Sequence, residues 1–371
     1  MSTMPSGTRI LLPWMMLLLI SCAATDGGRK KTERFWPPPP DPPVISYLSS
    51  FSEPKDLGAR RGWLMKTFKF LLGEEDAPPM LRPYAVATDG KGRVYVTDTG
   101  LQAVHIYDFP AKKYRQIFWI DRGRSRLISP VGVALDEAGL IYVSDSQLNR
   151  IFVYEPKKRK RVRTIGEAGQ FERLTGIAYH PALNRLYAVD TAAHRVVVFD
   201  PGGKTVMTFG RRGDQDGELN FPTHVTIDSG GLLYITDSMN FRVQIFDSDG
   251  RFLGKLGKLG NTLGSFSKPK GVAVDAAGHI FVVDGLYDTV QIFNRQGELL
   301  MNFGKTGETE GDFYLPSGIA IDNKNRIYVA DTYNQRVAVF QFMGAPAAQA
   351  SAPLPEPDSA GKLQENKAVG Y

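Results

Sequence analysis

The chain has 371 residues, 42% of them hydrophobic, and 45 Lys and Arg against 39 Asp and Glu, for a net charge of +6. With one cysteine it holds no cysteine pair, so neither an internal disulfide nor a two-cysteine metal site is available. The apolar run Ile10–Ile20, interrupted by Pro13, is too short to cross a bilayer as a helix.

That run follows Arg9 and ends in Leu19-Ile20-Ser21-Cys22, which predicts an export signal over residues 1–21 and a lipidated Cys22 as the first mature residue. A spare thiol beside an ordinary cleavage site fits the same residues, but the sole cysteine falls where the lipidation motif requires it. Two or more acyl chains there would anchor the chain stably, at about 0.8 kcal/mol per buried CH₂. Ala23 in place of Asp is similar to Gram-negative lipoproteins of the outer membrane. The expectation is an exported outer-membrane lipoprotein facing the periplasm or the cell surface. Residues 22–62 read as a tether, in which Trp36-Pro37-Pro38-Pro39-Pro40-Asp41-Pro42-Pro43 predicts stiff polyproline II. The tail, 343–371, is rich in Ala, Pro and Gln and predicts disorder.

Between these ends one phrase recurs six times, each copy closing on an aspartate: Asp98, Asp145, Asp190, Asp237, Asp284 and Asp331, at spacings of 47, 45, 47, 47 and 47. In the copy Pro316–Phe340, an apolar run at Gly318–Ile321 is followed by the tight turn Asp322-Asn323-Lys324-Asn325. A second run then leads to Asp331, and a third spans Val337–Phe340. A fourth, such as Lys204–Phe209 or Glu298–Phe303, precedes the next copy. Four short strands per 47-residue unit predict propeller blades. After Asp331 only a third strand remains, whereas Trp63–Leu72 is an orphan strand ahead of the first copy. The fold class is therefore all-β: a closed six-bladed β-propeller over residues 63–342, its N-terminal strand completing the last blade. Closure removes exposed sheet edges. The innermost strands carry small residues at Ala85, Gly132, Gly176, Gly271 and Gly318, and two further on at Ala87, Ala134, Ala178, Ala273 and Ala320. Only blade 4 breaks both rings, with His224 and Thr226.

The stretch Leu233–Phe246 (LYITDSMNFRVQIF) and the run Asp331-Thr332-Tyr333-Asn334-Gln335-Arg336-Val337 resemble the NHL repeat. The resemblance covers about 280 residues and implies a six-bladed propeller. It further implies an Asp-to-Arg pair five residues apart, met here by Asp145/Arg150, Asp190/Arg195, Asp237/Arg242 and Asp331/Arg336, which read as structural pairs. Blade 1 has Ala103 and blade 5 has Thr289 at the Arg position. The family includes RNA-binding, protein-binding, sensor and lyase-type members, so it implies a scaffold and no particular activity.

No catalytic constellation, no metal set and no cofactor motif emerges. The five histidines are scattered over turns, a third strand and a loop. Only His224, with Thr226 below it, lies at the axial channel as a candidate ligand. The basic run Lys157-Lys158-Arg159-Lys160-Arg161 lacks interleaved aromatics and reads as a solvated loop tip, so nucleic acid is not an expected partner. Asp98 and Asp284, lacking their Arg, lie with Leu101, Leu286, Tyr287 and Tyr333 on one face around blades 5, 6 and 1. These six form the candidate protein-binding patch. The expected function is a membrane-anchored, non-enzymatic, monomeric propeller holding a protein partner in the cell envelope. The alternatives are a metal-dependent lyase- or lactonase-type enzyme working at the channel, or a ligand-sensing envelope propeller.

Overall fold

The structure is a computed structural model describing residues 34–58, 78–121, 124–156 and 160–344. Each blade is an antiparallel sheet whose strands run in order from the axis outward. Blade 1 is Pro83–Thr88, Arg93–Asp98, Ala103–Asp108 and Lys113–Ile117. Blade 2 is Pro130–Leu135, Ile141–Asp145, Arg150–Glu155 and Lys160–Ile165, and blade 3 is Leu174–His180, Arg185–Asp190, Arg195–Phe199 and Thr205–Phe209. Blade 4 is Pro222–Ile227, Leu233–Asp237, Arg242–Phe246 and Phe252–Leu256, and blade 5 is Pro269–Val274, Ile280–Asp284, Thr289–Phe293 and Leu299–Phe303. Blade 6 takes Ile319–Ile321, Arg326–Asp331 and Arg336–Phe342 from the end of the repeat. The innermost strands touch in cyclic order and blade 6 meets blade 1, so the ring is closed.

The central strands are rich in β-branched and aromatic residues and are buried on both faces, as in Ile280–Asp284 and Thr289–Phe293. The core accordingly lies between blades, in six apolar clusters, each shared by two neighbours. A connector side chain plugs each cluster: Met80, Leu127, Phe171, Leu219, Phe266 and Phe313, all buried. Near the axis the blades meet backbone to backbone. A Cβ on Gly176 would lie 2.6 Å from the Thr223 carbonyl, and one on Gly318 would lie 2.5 Å from that of Tyr84. The small residues on the innermost strands are therefore required by the closeness of the neighbouring blade.

An N-terminal strand completes blade 6, but it is Ile45–Phe51 rather than the expected Trp63–Leu72. Tyr47 pairs with Phe340 and Ser49 with Val339, leaving Leu48 in a bulge between them. The bulge breaks the two-residue period that identifies a strand, which is why this segment did not read as one. A fifth strand, Phe35–Trp36, adds outside it. Trp36 packs on Phe303 and Phe340, with ring centroids at 6.0 and 5.8 Å, and Arg34 pairs with Asp312 at 2.9 Å. The prolines read as an extended tether are thus the loop of a hairpin docked on blade 6. Flanking Trp36, Ile45 and Tyr47 supply apolar surface to bury, which outweighs the stiffness of the proline run. The expected signal over 1–21, Cys22, Trp63–Leu72, Lys157–Arg159 and the tail from residue 345 lie outside the described residues.

Ring closure rests on the buried face of this strand. Ile45→Ala is expected to lower stability by about 2–5 kcal/mol in denaturant unfolding, since Ile45 is wholly buried in the cluster shared by blades 5 and 6.

Candidate binding face and axial channel

The repeated aspartates end the second strand of each blade, and all six are wholly buried. A buried carboxylate is tolerated only when hydrogen bonds replace its hydration. Asp98 accepts the amides of Leu81 and Arg82 from the preceding connector (2.7 and 3.0 Å), and those of Gly100 and Leu101 from the following loop (2.8 and 2.9 Å). Asp145 does the same with Ile128, Ser129, Gln147 and Leu148. Asp284 does so with Ser267, Lys268, Leu286 and Tyr287. Where the Arg is engaged, it donates from the start of the third strand, Arg195 to Asp190 at 3.2 Å, Arg242 to Asp237 at 2.8 Å and Arg336 to Asp331 at 2.9 Å, and in blades 4 and 6 a loop asparagine, Asn240 or Asn334, donates as well. Arg150 stands opposite Asp145 in register, and its Nη1 donates to the Asn149 carbonyl. In blade 1 a histidine takes the Arg role, with His105 Nε2 3.3 Å from Asp98. Burial opposes ionisation of Asp98, but His105 and the Leu101 and Leu81 amides outweigh it and hold the carboxyl below its ordinary value. Burial pushes Asp331 up despite Arg336.

Asp98 and Asp284 therefore do not belong to an exposed patch. Loss of the Arg is made good by other donors, and both acids are internal staples joining connector to loop. The apolar members of the patch stand where expected: Leu286, Tyr287 and Tyr333 are exposed and Leu101 is half-buried. The structure adds neighbours to them. Tyr314 packs on Tyr333 at 5.4 Å, and Leu81, Ile128, Phe221 and Met239 are exposed on the same connector face. Leu81, Ile128 and Tyr314 each lie 17 residues before their blade's aspartate and donate a backbone amide to it, and Met239 lies two after its own, as Leu286 and Tyr333 do.

The channel runs down the axis with a volume of about 280 Å³, lined by the small rings and by His224 and Thr226. At the connector-face end, Tyr84 of blade 1 reaches across to blade 4 and stacks on His224, with centroids 5.7 Å apart at 19°. His224 Nδ1 lies 3.1 Å from Thr223 Oγ1, while Nε2 is buried without a hydrogen-bond partner. Burial, and after it the Lys270 ammonium, push the imidazole down to about 3, so it is neutral at physiological pH. Among the described residues, no three His, Cys, Asp or Glu side chains are grouped to hold a metal ion.

The NHL repeat model matches residues 219–246 and 313–340. Among solved structures, the chain is similar to a protein of unknown function from Bacteroides thetaiotaomicron, with 15% identity, 72% of this chain and 71% of that chain covered, and a TM-score of 0.57. It is also similar to an auxiliary nutrient binding protein from the same species (17%, 70% and 69%, 0.56) and to virginiamycin B lyase from Staphylococcus aureus (15%, 70% and 95%, 0.53). At these identities the likeness is one of fold. A search of curated proteins finds no match.

Two outcomes follow from the buried groups. Asp284→Ala strands four backbone amides and is expected to cost about 3 kcal/mol or more in unfolding free energy. His224 takes up a proton near its ordinary value of 6.5 in the unfolded chain but only near 3 in the folded one. Between these values the unfolded state binds more protons, so stability falls as pH falls, by up to about 1.4 kcal/mol per pH unit. Over that range His224→Gln should show a flatter pH dependence of unfolding free energy than the parent.

Proposed function

The chain being an NHL-repeat six-bladed β-propeller, we propose that it is a non-enzymatic binding protein that holds a protein partner on its connector face. The observation that carries this reading is the clustering there of Leu81, Ile128, Phe221, Met239, Leu286, Tyr287, Tyr314 and Tyr333. All are exposed, on connectors and loops whose amides the buried aspartates hold, from both sides in blades 1, 2 and 5. Aromatic side chains on a rigid support lose little entropy on binding, which is what an interface centre requires. Scattered exposed apolar residues are ordinary, but a concentration on one face marks an interaction surface.

On the same reading the protein is exported and lipid-anchored through Cys22. Arg34 is held against blade 6 through Asp312, and the eleven residues between Cys22 and Arg34 can span at most about 40 Å.

Tyr287→Ala combined with Tyr333→Ala tests the face. Crosslinking pull-downs from membranes should lose the partner with this variant while its thermal unfolding stays within a few degrees of the parent. Recovery of the same partner at the same yield would rule the face out.

A further inference from the structure

One ring of positions at the axis departs from the repeat in a coordinated way. Directly after Leu174, Pro222 and Pro316, the residues that open their repeat units, blades 3, 4 and 6 carry Thr175, Thr223 and Ser317. These hydroxyls pair with Thr191, Ser238 and Thr332 at 2.7, 2.7 and 2.8 Å. The partners pass the bond to a carbonyl of the next blade, Thr191 to Pro222 at 2.7 Å and Thr332 to Pro83 at 2.8 Å. Blade 5 replaces both members, with Lys270 and Gly285. A Cβ on Gly285 would lie 3.2 Å from Lys270 Cγ and 2.9 Å from the Pro316 carbonyl. The glycine makes room for the lysine stem, and a structural relay is exchanged for a cation.

That cation is placed at the mouth of the channel. Lys270 Nζ lies 5.7 Å from the centroid of the Tyr84 ring, which in turn stacks on His224. Burial, then the charges of Lys268 and Arg173, hold Lys270 below the ordinary lysine value. The charge of Arg173 also acts on the Tyr84 phenol, against the burial that pushes it up. Arg173 and Lys268 occupy the same place in their blades, one residue before the opening residue, and Arg82 does so in blade 1. Blades 1, 3 and 5 alternate around the ring, so these exposed cations stand on the connectors entering the innermost strands at roughly 120° intervals by the sixfold symmetry of a propeller. Among the described residues, none of Arg82, Arg173, Lys268 and Lys270 forms an ion pair.

Like charges brought together around a half-buried lysine cost free energy that an anion would return. Beside them stands a wholly buried imidazole nitrogen with no partner. We propose that the axial mouth binds an oxyanion, the carboxylate or phosphate group of a bound molecule, with Lys270 and Arg173 as its cations and His224 Nε2 offering a neutral contact. The site rests on the connector face being the binding face and gives that face a chemical preference at its centre.

The full chain titrated calorimetrically with inorganic phosphate and, separately, with succinate, at about 0.15 M salt where long-range attraction is screened, decides the matter. The expected result is one saturable site for at least one probe. Phosphate alone would point to a phosphoryl-bearing ligand, succinate alone to a carboxylate, and both to an unselective oxyanion site. Lys270→Gln should weaken binding at least tenfold, whereas Lys324→Gln, on the opposite face, should leave it unchanged. Because Lys270→Gln removes a desolvated charge, the variant should melt no lower than the parent, so loss of binding would not reflect loss of fold. Saturation by neither probe, or binding within twofold of the parent in Lys270→Gln, would overturn the site. The Tyr287→Ala/Tyr333→Ala protein should keep the anion whether or not it keeps the partner, so failure of the face and failure of the site are read separately.

Discussion

The structure depends on a carboxylate that cannot be hydrated. Each blade buries one aspartate at the end of its second strand, and each must find about four donors to remain there. In blades 1, 2 and 5 the amide donors lie on two segments that the sheet ladder does not fix, the connector from the previous blade and the loop to the third strand, and in blades 3, 4 and 6 a third-strand arginine joins the connector donors. Satisfying the carboxylate therefore immobilises both at once. Six repetitions give one face of the disc a backbone set by internal bonds, leaving its side chains free to vary. That is how a surface can display Leu286, Tyr287, Tyr314 and Tyr333 without collapsing onto them.

Closure is the second constraint, and it bears on the axis. A ring of six admits only small residues where neighbouring backbones meet, so a side chain that does project toward the axis does so against the packing rule. His224 is such a side chain, and Tyr84 crosses from the opposite blade to cover it. The stability supplied by the six interblade clusters is what lets a partnerless nitrogen and a desolvated ammonium persist in the same small volume.

Most of the architecture was legible because a 47-residue period, four strand runs and a terminal aspartate repeat six times. The closing strand was not, because Leu48 bulges and splits Ile45–Phe51 into two short phases, while the adjacent proline run points to an extended linker. The buried state of Asp98 and Asp284 was hidden for a different reason. Their replacement donors are backbone amides, which carry no residue identity, and His105, seven residues on in the third strand. The exposed Tyr333 could be placed by counting from the repeat aspartate. Its neighbour Tyr314 lies 17 residues before the same aspartate, as Leu81 and Ile128 do before theirs, but its meeting with Tyr333 depends on the bond from the connector amide to the carboxylate.

These cases separate two kinds of irregularity within a repeat. In blades 1 and 5 the missing arginine is compensated on the spot, every lone pair finds a donor, and the change is neutral to the outside. The Lys270/Gly285 exchange is compensated only sterically. The glycine accommodates the stem, yet nothing among the described residues neutralises the charge or completes the hydrogen bonding of His224 beside it. A fold that satisfies its six buried aspartates so thoroughly has no stabilising use for that arrangement. Free energy withheld from the folded state at one point is available to a binding partner that brings the missing negative charge.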